Sequence, residues 1–163
     1  MTERIAIGAV SRTRASVHLE RQLAASPDQV WAMWTDPERL GRWLAPVESG
    51  APGPGATFVL RMEVDETATC TVQRWEPPRL LELTWDYTGE RPSRFRLELR
   101  AEQGGTRLLL DHDRLDAADP VDYGAGWHTH LEALAARLAD APTPAFGELF
   151  RTLRAAYAAQ LHD

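Results

Sequence analysis

The stretch Ser26-Pro27-Asp28-Gln29-Val30-Trp31-Ala32-Met33-Trp34-Thr35-Asp36-Pro37-Glu38-Arg39-Leu40-Gly41-Arg42-Trp43 contains two helix starts in quick succession. In the first, the Ser26 oxygen can accept the Gln29 amide, and Pro27 fills the first helical position, where its missing N–H is not needed. The signal repeats at Asp36-Pro37, with Leu40, Trp43 and Leu44 following at helical spacing. Two short helices meeting at an angle are expected, each with one apolar face.

Upstream, Val17, Leu19, Arg21 and Leu23 alternate with Ser16, His18, Glu20 and Gln22, as in a half-buried strand. Downstream, after the Pro- and Gly-rich Pro46 to Gly55, come five strand-like runs at about 56–64, 67–76, 79–87, 93–101 and 106–113. Turn residues at Asp65-Glu66, Pro77-Pro78, Gly89 to Pro92 and Gly104-Gly105 divide them, which predicts an antiparallel meander. Phe58, Leu60, Met62, Leu81, Leu83, Trp85, Phe95, Leu97, Leu99, Leu108, Leu110 and His112 share one face, opposite Arg94, Arg96, Glu98 and Arg100. The run around Cys70 and Val72 can be read in either register. Asp119-Pro120 then opens a long helix with a Trp127, Leu131, Leu134, Leu138 stripe. After Ala141 to Pro144, a last amphipathic helix carries Phe146, Phe150, Leu153, Tyr157 and Leu161, and it can cover its own domain or pair with a second copy as a homodimer.

The fold class is therefore α+β, with residues 1–15 as an extension, 16–140 as one domain and 141–163 as an added helix. Six strands at about 4.8 Å spacing span roughly 29 Å, whereas a helix is only about 10–12 Å across. One long helix cannot roof such a sheet. Imperfect closure by the short helices leaves a greasy internal cavity, unless bulky side chains, including the six tryptophans, fill it.

The chain has 163 residues, 44% of them hydrophobic, and a net charge of −6, with all cations arginine. That balance disfavours nucleic acid as a partner. A single cysteine, Cys70, forbids an internal disulfide and suits a reducing compartment, so a cytoplasmic address is expected. The apolar run Ile5 to Val10 is too short for a membrane span.

The run from Ser26 through Trp43 resembles the opening signature of the SRPBCC (START, Bet v 1-like) superfamily, in the branch named after the activator of the heat-shock-protein-90 ATPase. Pro77-Pro78-Arg79-Leu80 before Trp85, Gly105-Thr106-Arg107-Leu108 before His112, and Gly126-Trp127 before Leu131 continue the likeness from about Ser16 to Leu138. The resemblance implies a helix-grip fold around an apolar pocket, used in the superfamily for lipids, sterols, hormones and polyketides, and in places for cyclase or aromatase chemistry.

The expected function is binding of an apolar or aromatic small molecule or lipid. The expected lining is Trp43, Phe58, Leu60, Met62, Leu83, Trp85, Phe95, Leu97, Leu110, His112, Trp127 and Leu131, with Trp43 either in the core or near the entrance. Met33 adds adaptable bulk. His112, inward on an apolar face, is the candidate polar handle, since strand alternation turns Asp111 and Asp113 the other way. A cyclase or aromatase reading would use His112 or Tyr123 as acid or base, and a co-chaperone-like interaction module is a third reading. His128 and His130 diverge on one helix and form no chelate, and His130 is read either as bordering the core or as reaching the pocket. No phosphate loop or Gly-x-Ser-x-Gly elbow occurs, so no metal or cofactor is expected. Asp65, Glu66 and Glu82 read as surface charges.

Overall fold

A computed structural model describes residues 7–116 and 119–161. Its elements, in chain order, are β1 (Ala9–Ser11), β2 (Ser16–Leu23), α1 (Pro27–Thr35), α2 (Pro37–Trp43), β3 (Val47–Ser49), β4 (Thr57–Glu63), β5 (Glu66–Glu76), β6 (Leu80–Tyr87), β7 (Ser93–Glu102), β8 (Gly105–Asp113), α3 (Pro120–Leu138) and α4 (Phe146–Gln160). The strands form one antiparallel sheet in the order β1-β2-β8-β7-β6-β5-β4-β3, curved beneath α3 as a helix-grip fold requires.

The helix starts form as the sequence dictates. Ser26 Oγ accepts the Gln29 amide at 3.2 Å while Gln29 Oε1 accepts the Ser26 amide at 2.9 Å, closing a capping box. Asp36 Oδ1 accepts the Glu38 amide at 3.1 Å, and the Asp36 amide donates to the Ala32 carbonyl at 3.0 Å, so one residue ends α1 and begins α2. Asp119 departs from expectation. Its backbone is already αR at φ −91°, ψ −18°, and its carboxylate makes no capping bond, because that bond needs an extended cap residue.

Eight strands replace the expected six. The added ones, β1 and β3, are three residues each, too short to show alternation, and both lie at sheet edges. The region expected as an extension thus contributes a strand to the sheet. In β5 the register shifts between Val72 and Arg74. Ala68, Cys70 and Val72 face inward before the shift, and Trp75 reaches Trp31 after it, with ring centroids 5.1 Å apart. An inserted residue changes the parity of every later side chain, which is why alternation alone leaves this strand open to two readings. The β7–β8 turn is Gln103-Gly104, with φ of 51° and 77°, the pair of left-handed residues that a tight hairpin needs; Gly105 is already in β8.

Inward residues line up across the sheet in rows such as Val72, Leu83, Phe95, His112 and Val17. α1, α2 and α3 cover them. α4 packs against α3 and β1, burying Leu153 and Tyr157. Tyr157 Oη accepts the Gly8 amide at 2.9 Å and donates to His128 Nδ1 at 2.8 Å. Gln160 completes this clasp, accepting the Val10 amide at 2.7 Å and donating to the Gly8 carbonyl at 2.8 Å. Among the described residues no helix is long and apolar enough to cross a membrane.

Candidate functional site

The space between sheet and helices is largely filled. Trp34, Trp43, Trp85, Phe95 and Trp127 pack edge-on or tilted, with centroid separations of 4.6 Å for Trp34–Trp43, 5.0 Å for Phe95–Trp127 and 5.3 Å for Trp85–Trp127. The void left beside Trp34, Trp85, Phe95 and Trp127 is about 20 Å3, room for about one water, and is otherwise walled by apolar side chains including Phe58, Leu60 and Leu83. The shortfall in width between sheet and long helix is thus taken up by indoles from α1 and α2. Trp43 is buried at 5% exposure, and its N–H donates to the Met33 carbonyl at 2.8 Å, so it belongs to the interior and not to an entrance. Leu97, Leu110 and Leu131 are equally enclosed.

His112 is also enclosed. The Trp127 N–H donates to its Nδ1 at 3.0 Å, which leaves Nε2 protonated to donate to Ser93 Oγ at 2.7 Å; Ser93 in turn donates to the Trp85 carbonyl at 3.2 Å. Burial pushes its pKa down to about 3, so the ring is neutral. Both nitrogens are engaged and no surface is exposed, so the expected ligand handle acts as a brace for Trp127. Strand alternation does separate its neighbours: Asp111 accepts from His18 at 2.6 Å, and Asp113 accepts two bonds from Arg94, all on the outer face.

A larger opening of about 680 Å3 lies at one end of the grip. Its floor is Trp85 and Trp127, which also border the small inner void and so partition the two spaces. Met62, Glu63 and Glu66 come from the β4–β5 hairpin, Tyr87, Thr88 and Glu90 from the end of β6 and its following turn, and Tyr123, Gly126 and His130 from α3. The N-terminal turns of α4 close the far side with Phe146, Gly147, Phe150 and Arg151. Of the residues expected from sequence to bind a ligand, Met62, Trp85 and Trp127 stand in this wall.

Two tyrosine–carboxylate pairs give the opening its polarity. Tyr123 Oη accepts the Trp85 N–H at 3.2 Å and donates to Glu90 Oε1 at 2.5 Å, while Tyr87 donates to Glu66 Oε2. Burial raises the Glu90 pKa above the usual carboxylate range; the Tyr123 hydrogen bond opposes this, and Asp119, Asp116 and Glu66 add to it. Burial first and the partner carboxylate second push both phenols well above 10. Asp65 is exposed as expected, whereas Glu66 is half-buried, a correction to its reading as a surface charge; Glu82 is likewise largely covered, beside Arg74. The missed carboxylates flank turns, Glu66 as the first residue of β5 and Glu90 just after β6. In an antiparallel meander the β4–β5 and β6–β7 turns fall on the same sheet end, and that topology was the available signal for Glu66 and Glu90.

His130 lies between Trp127 and Phe146, with ring centroids 6.1 and 4.9 Å away, and its Nδ1 is buried without a hydrogen-bond partner. Burial pushes its pKa down to about 4 against the pull of the Trp43 carbonyl. His128, also near 4 through burial, is bonded to Tyr157 instead, so the two imidazoles are separated as their spacing implies. Among the described residues no three His, Cys, Asp or Glu side chains converge as a metal site.

Several solved structures share this architecture. CalU16 from Micromonospora echinospora is 30% identical over 91% of this chain and 88% of its own, with a TM-score of 0.77. The protein encoded by gene BPP1335 from Bordetella parapertussis is 32% identical over 100% of this chain and 97% of its own, with a TM-score of 0.73. DynU16, from the dynemicin biosynthetic locus, is 22% identical over 81% of this chain and 50% of its own, with a TM-score of 0.72, a likeness of fold alone. No curated protein matches the chain. Residues 24–139 match the family described as "Activator of Hsp90 ATPase homolog 1-like protein", which leaves α4 outside the matched segment. With most of the chain covered by that match, and with the curved sheet, paired short helices and long α3 in place, this protein belongs to the activator of Hsp90 ATPase homolog 1-like family within the SRPBCC superfamily.

Proposed function

We propose that the protein binds an apolar or aromatic small molecule in the opening between the end of the sheet and the α3–α4 pair, and that sequestration or carriage is its biochemical act. One observation carries this reading: a cleft of about 680 Å3, floored by Trp85 and Trp127 and walled by Met62, Tyr87, Phe146 and Phe150. That volume is typical of small-molecule sites, and aromatic walls with a few polar groups are their usual chemistry. The guest rests on the indole floor and does not penetrate to Leu97 or Leu110, which lie beneath it.

The test uses a plug. Gly126 faces the cleft, and a Cβ there would meet only the Phe150 ring, at 3.9 Å. Neutral bicyclic aromatic probes such as naphthylethanol should shift the indole NMR signals of Trp85 and Trp127 in the wild-type protein and leave them unmoved in folded Gly126→Trp. Failure of every such probe at millimolar concentration to move either signal would overturn the proposal.

A second reading has its own observation. Glu90, with its raised pKa, lies 2.5 Å from Tyr123 in the cleft wall, which is the kind of pair that can exchange protons with a bound polyketide in cyclase or aromatase chemistry. Turnover of a poly-β-ketone mimic that is lost in Tyr123→Phe would favour this reading over simple carriage.

A further inference from the structure

The charge of the cleft selects among guests, and the selection rests on the binding reading above. Four carboxylates, those of Glu63, Glu66, Glu90 and Asp122, stand in its wall against one guanidinium, that of exposed Arg151. Asp122 is engaged by Arg154 at 2.6 Å. Among the described residues, Glu66 and Glu90 are bonded only by the phenols of Tyr87 and Tyr123, and a neutral phenol leaves the carboxylate charge in place. The rings around them add to the bias, because the face of an aromatic ring carries partial negative charge.

Among the described residues of the wall, exposed Arg151 is the one cation set against those carboxylates. His130 adds no positive charge to the wall, since burial pushes its pKa down to about 4 and the ring is neutral. Carboxylates and ring faces both call for a guest that brings N–H groups and positive charge. An apolar molecule ending in a carboxylate, such as a fatty acid, would add a like charge to a site already holding several.

We infer that the guest is an organic cation, an aromatic or polycyclic body bearing an ammonium group, with the body on the Trp85–Trp127 floor and the ammonium beside Glu66 and Glu90. The arrangement joins ion pairing to cation–π attraction in a half-enclosed site, where both are stronger than in open water.

The experiment compares three probes of one size by isothermal titration calorimetry: naphthylethylamine, naphthylethanol and naphthylacetate. The amine should bind at least about tenfold more tightly than the alcohol, with the acetate weakest. In Glu66→Gln/Glu90→Gln, where each amide oxygen can still accept its tyrosine hydroxyl, the amine should lose its advantage and bind no more tightly than the alcohol binds the same variant. An alcohol that equals or exceeds the amine in wild type, yet is blocked by Gly126→Trp, overturns the cationic guest and leaves the binding reading standing. An amine preference that survives the double substitution overturns the assignment to these two carboxylates. If none of the three binds, both the inference and the reading beneath it fall.

Discussion

The indole N–H of Trp127 ends on Nδ1 of His112, 3.0 Å away, so the only strong acceptor in an otherwise apolar row of the sheet is spent on holding one wall of the aromatic interior. His112→Ala would orphan the Trp127 N–H, leave Ser93 only its bond to the Trp85 carbonyl, and open a hole among four rings, those of Trp85, Phe95, Tyr123 and Trp127. A loss of about 3–5 kcal/mol is expected in urea denaturation. A folded variant of unchanged stability would show that the brace contributes nothing.

Acid should unfold this protein through its buried imidazoles. His112, His128 and His130 have folded pKa values of about 3, 4 and 4, depressed by burial from 6.5. The unfolded chain binds protons that the folded chain refuses, so their contribution is complete above about pH 6.5 and is lost as pH falls toward 4. Each histidine costs up to about 1.4 kcal/mol per pH unit in that window. Glu90 and Asp119, raised by burial, act in the opposite sense. On the outer face burial works against His18, but the hydrogen bonds it donates to Glu20 and Asp111 outweigh it and raise the pKa, so its small, solvent-screened contribution is present below 6.5 and lost as pH rises through the folded value. Urea midpoints should fall steeply from pH 6 to pH 4.5, and a flat profile would contradict the burial of these rings.

Two glycines two residues apart in α3, and so on opposite faces of the helix, should respond with opposite signs. A Cβ at Gly126 meets nothing closer than 3.9 Å, so Gly126→Ala should raise stability by about 0.5–1 kcal/mol through backbone entropy. A Cβ at Gly124 would lie 2.7 Å from Val10 Cγ1 and 3.4 Å from the Tyr157 ring. Gly124→Ala should therefore cost about 1–3 kcal/mol despite the same gain in helix propensity. Paired calorimetric melts compare the two, and equal shifts would argue against the close approach of β1 and α4 to α3.

Tyr157→Phe removes one hydroxyl and strands two partners, the Gly8 amide and His128 Nδ1. The expected cost is about 1–2 kcal/mol, concentrated at the sheet edge. Hydrogen exchange at Gly8 should accelerate most, with β7 and β8 unaffected; uniform acceleration would mean that the clasp is not a local device.

Most of the architecture could be read from sequence because its signals are local. Ser26-Pro27 and Asp36-Pro37 announce helices by chemistry contained within four residues, and the strand alternations from Phe58 to His112 repeat often enough to set both face and order. What resisted reading depends on distance. The bulge after Val72 inverts a parity that no single residue reveals, and three-residue strands at the edges have no period to detect. The site was harder still. Sequence reading correctly finds the sheet wider than one helix and Trp34 in the core, yet it cannot decide that Trp43 joins Trp34 in filling the gap, which moves the open space outward to Glu66, Glu90 and His130. An imidazole surrounded by leucines looks like a ligand handle until its two partners, Trp127 and Ser93, are seen on opposite sides.

The packed indoles also make the protein its own optical instrument. Trp34, Trp43, Trp85 and Trp127 lie within 4.6 to 6.0 Å of a neighbouring indole, close enough for their excited states to couple and for energy to migrate among them. Only two of the four border the cleft, but light absorbed anywhere in the cluster can reach them. A visitor touching either would dim the emission of the whole set, so occupancy could be followed in unlabelled protein at low concentration.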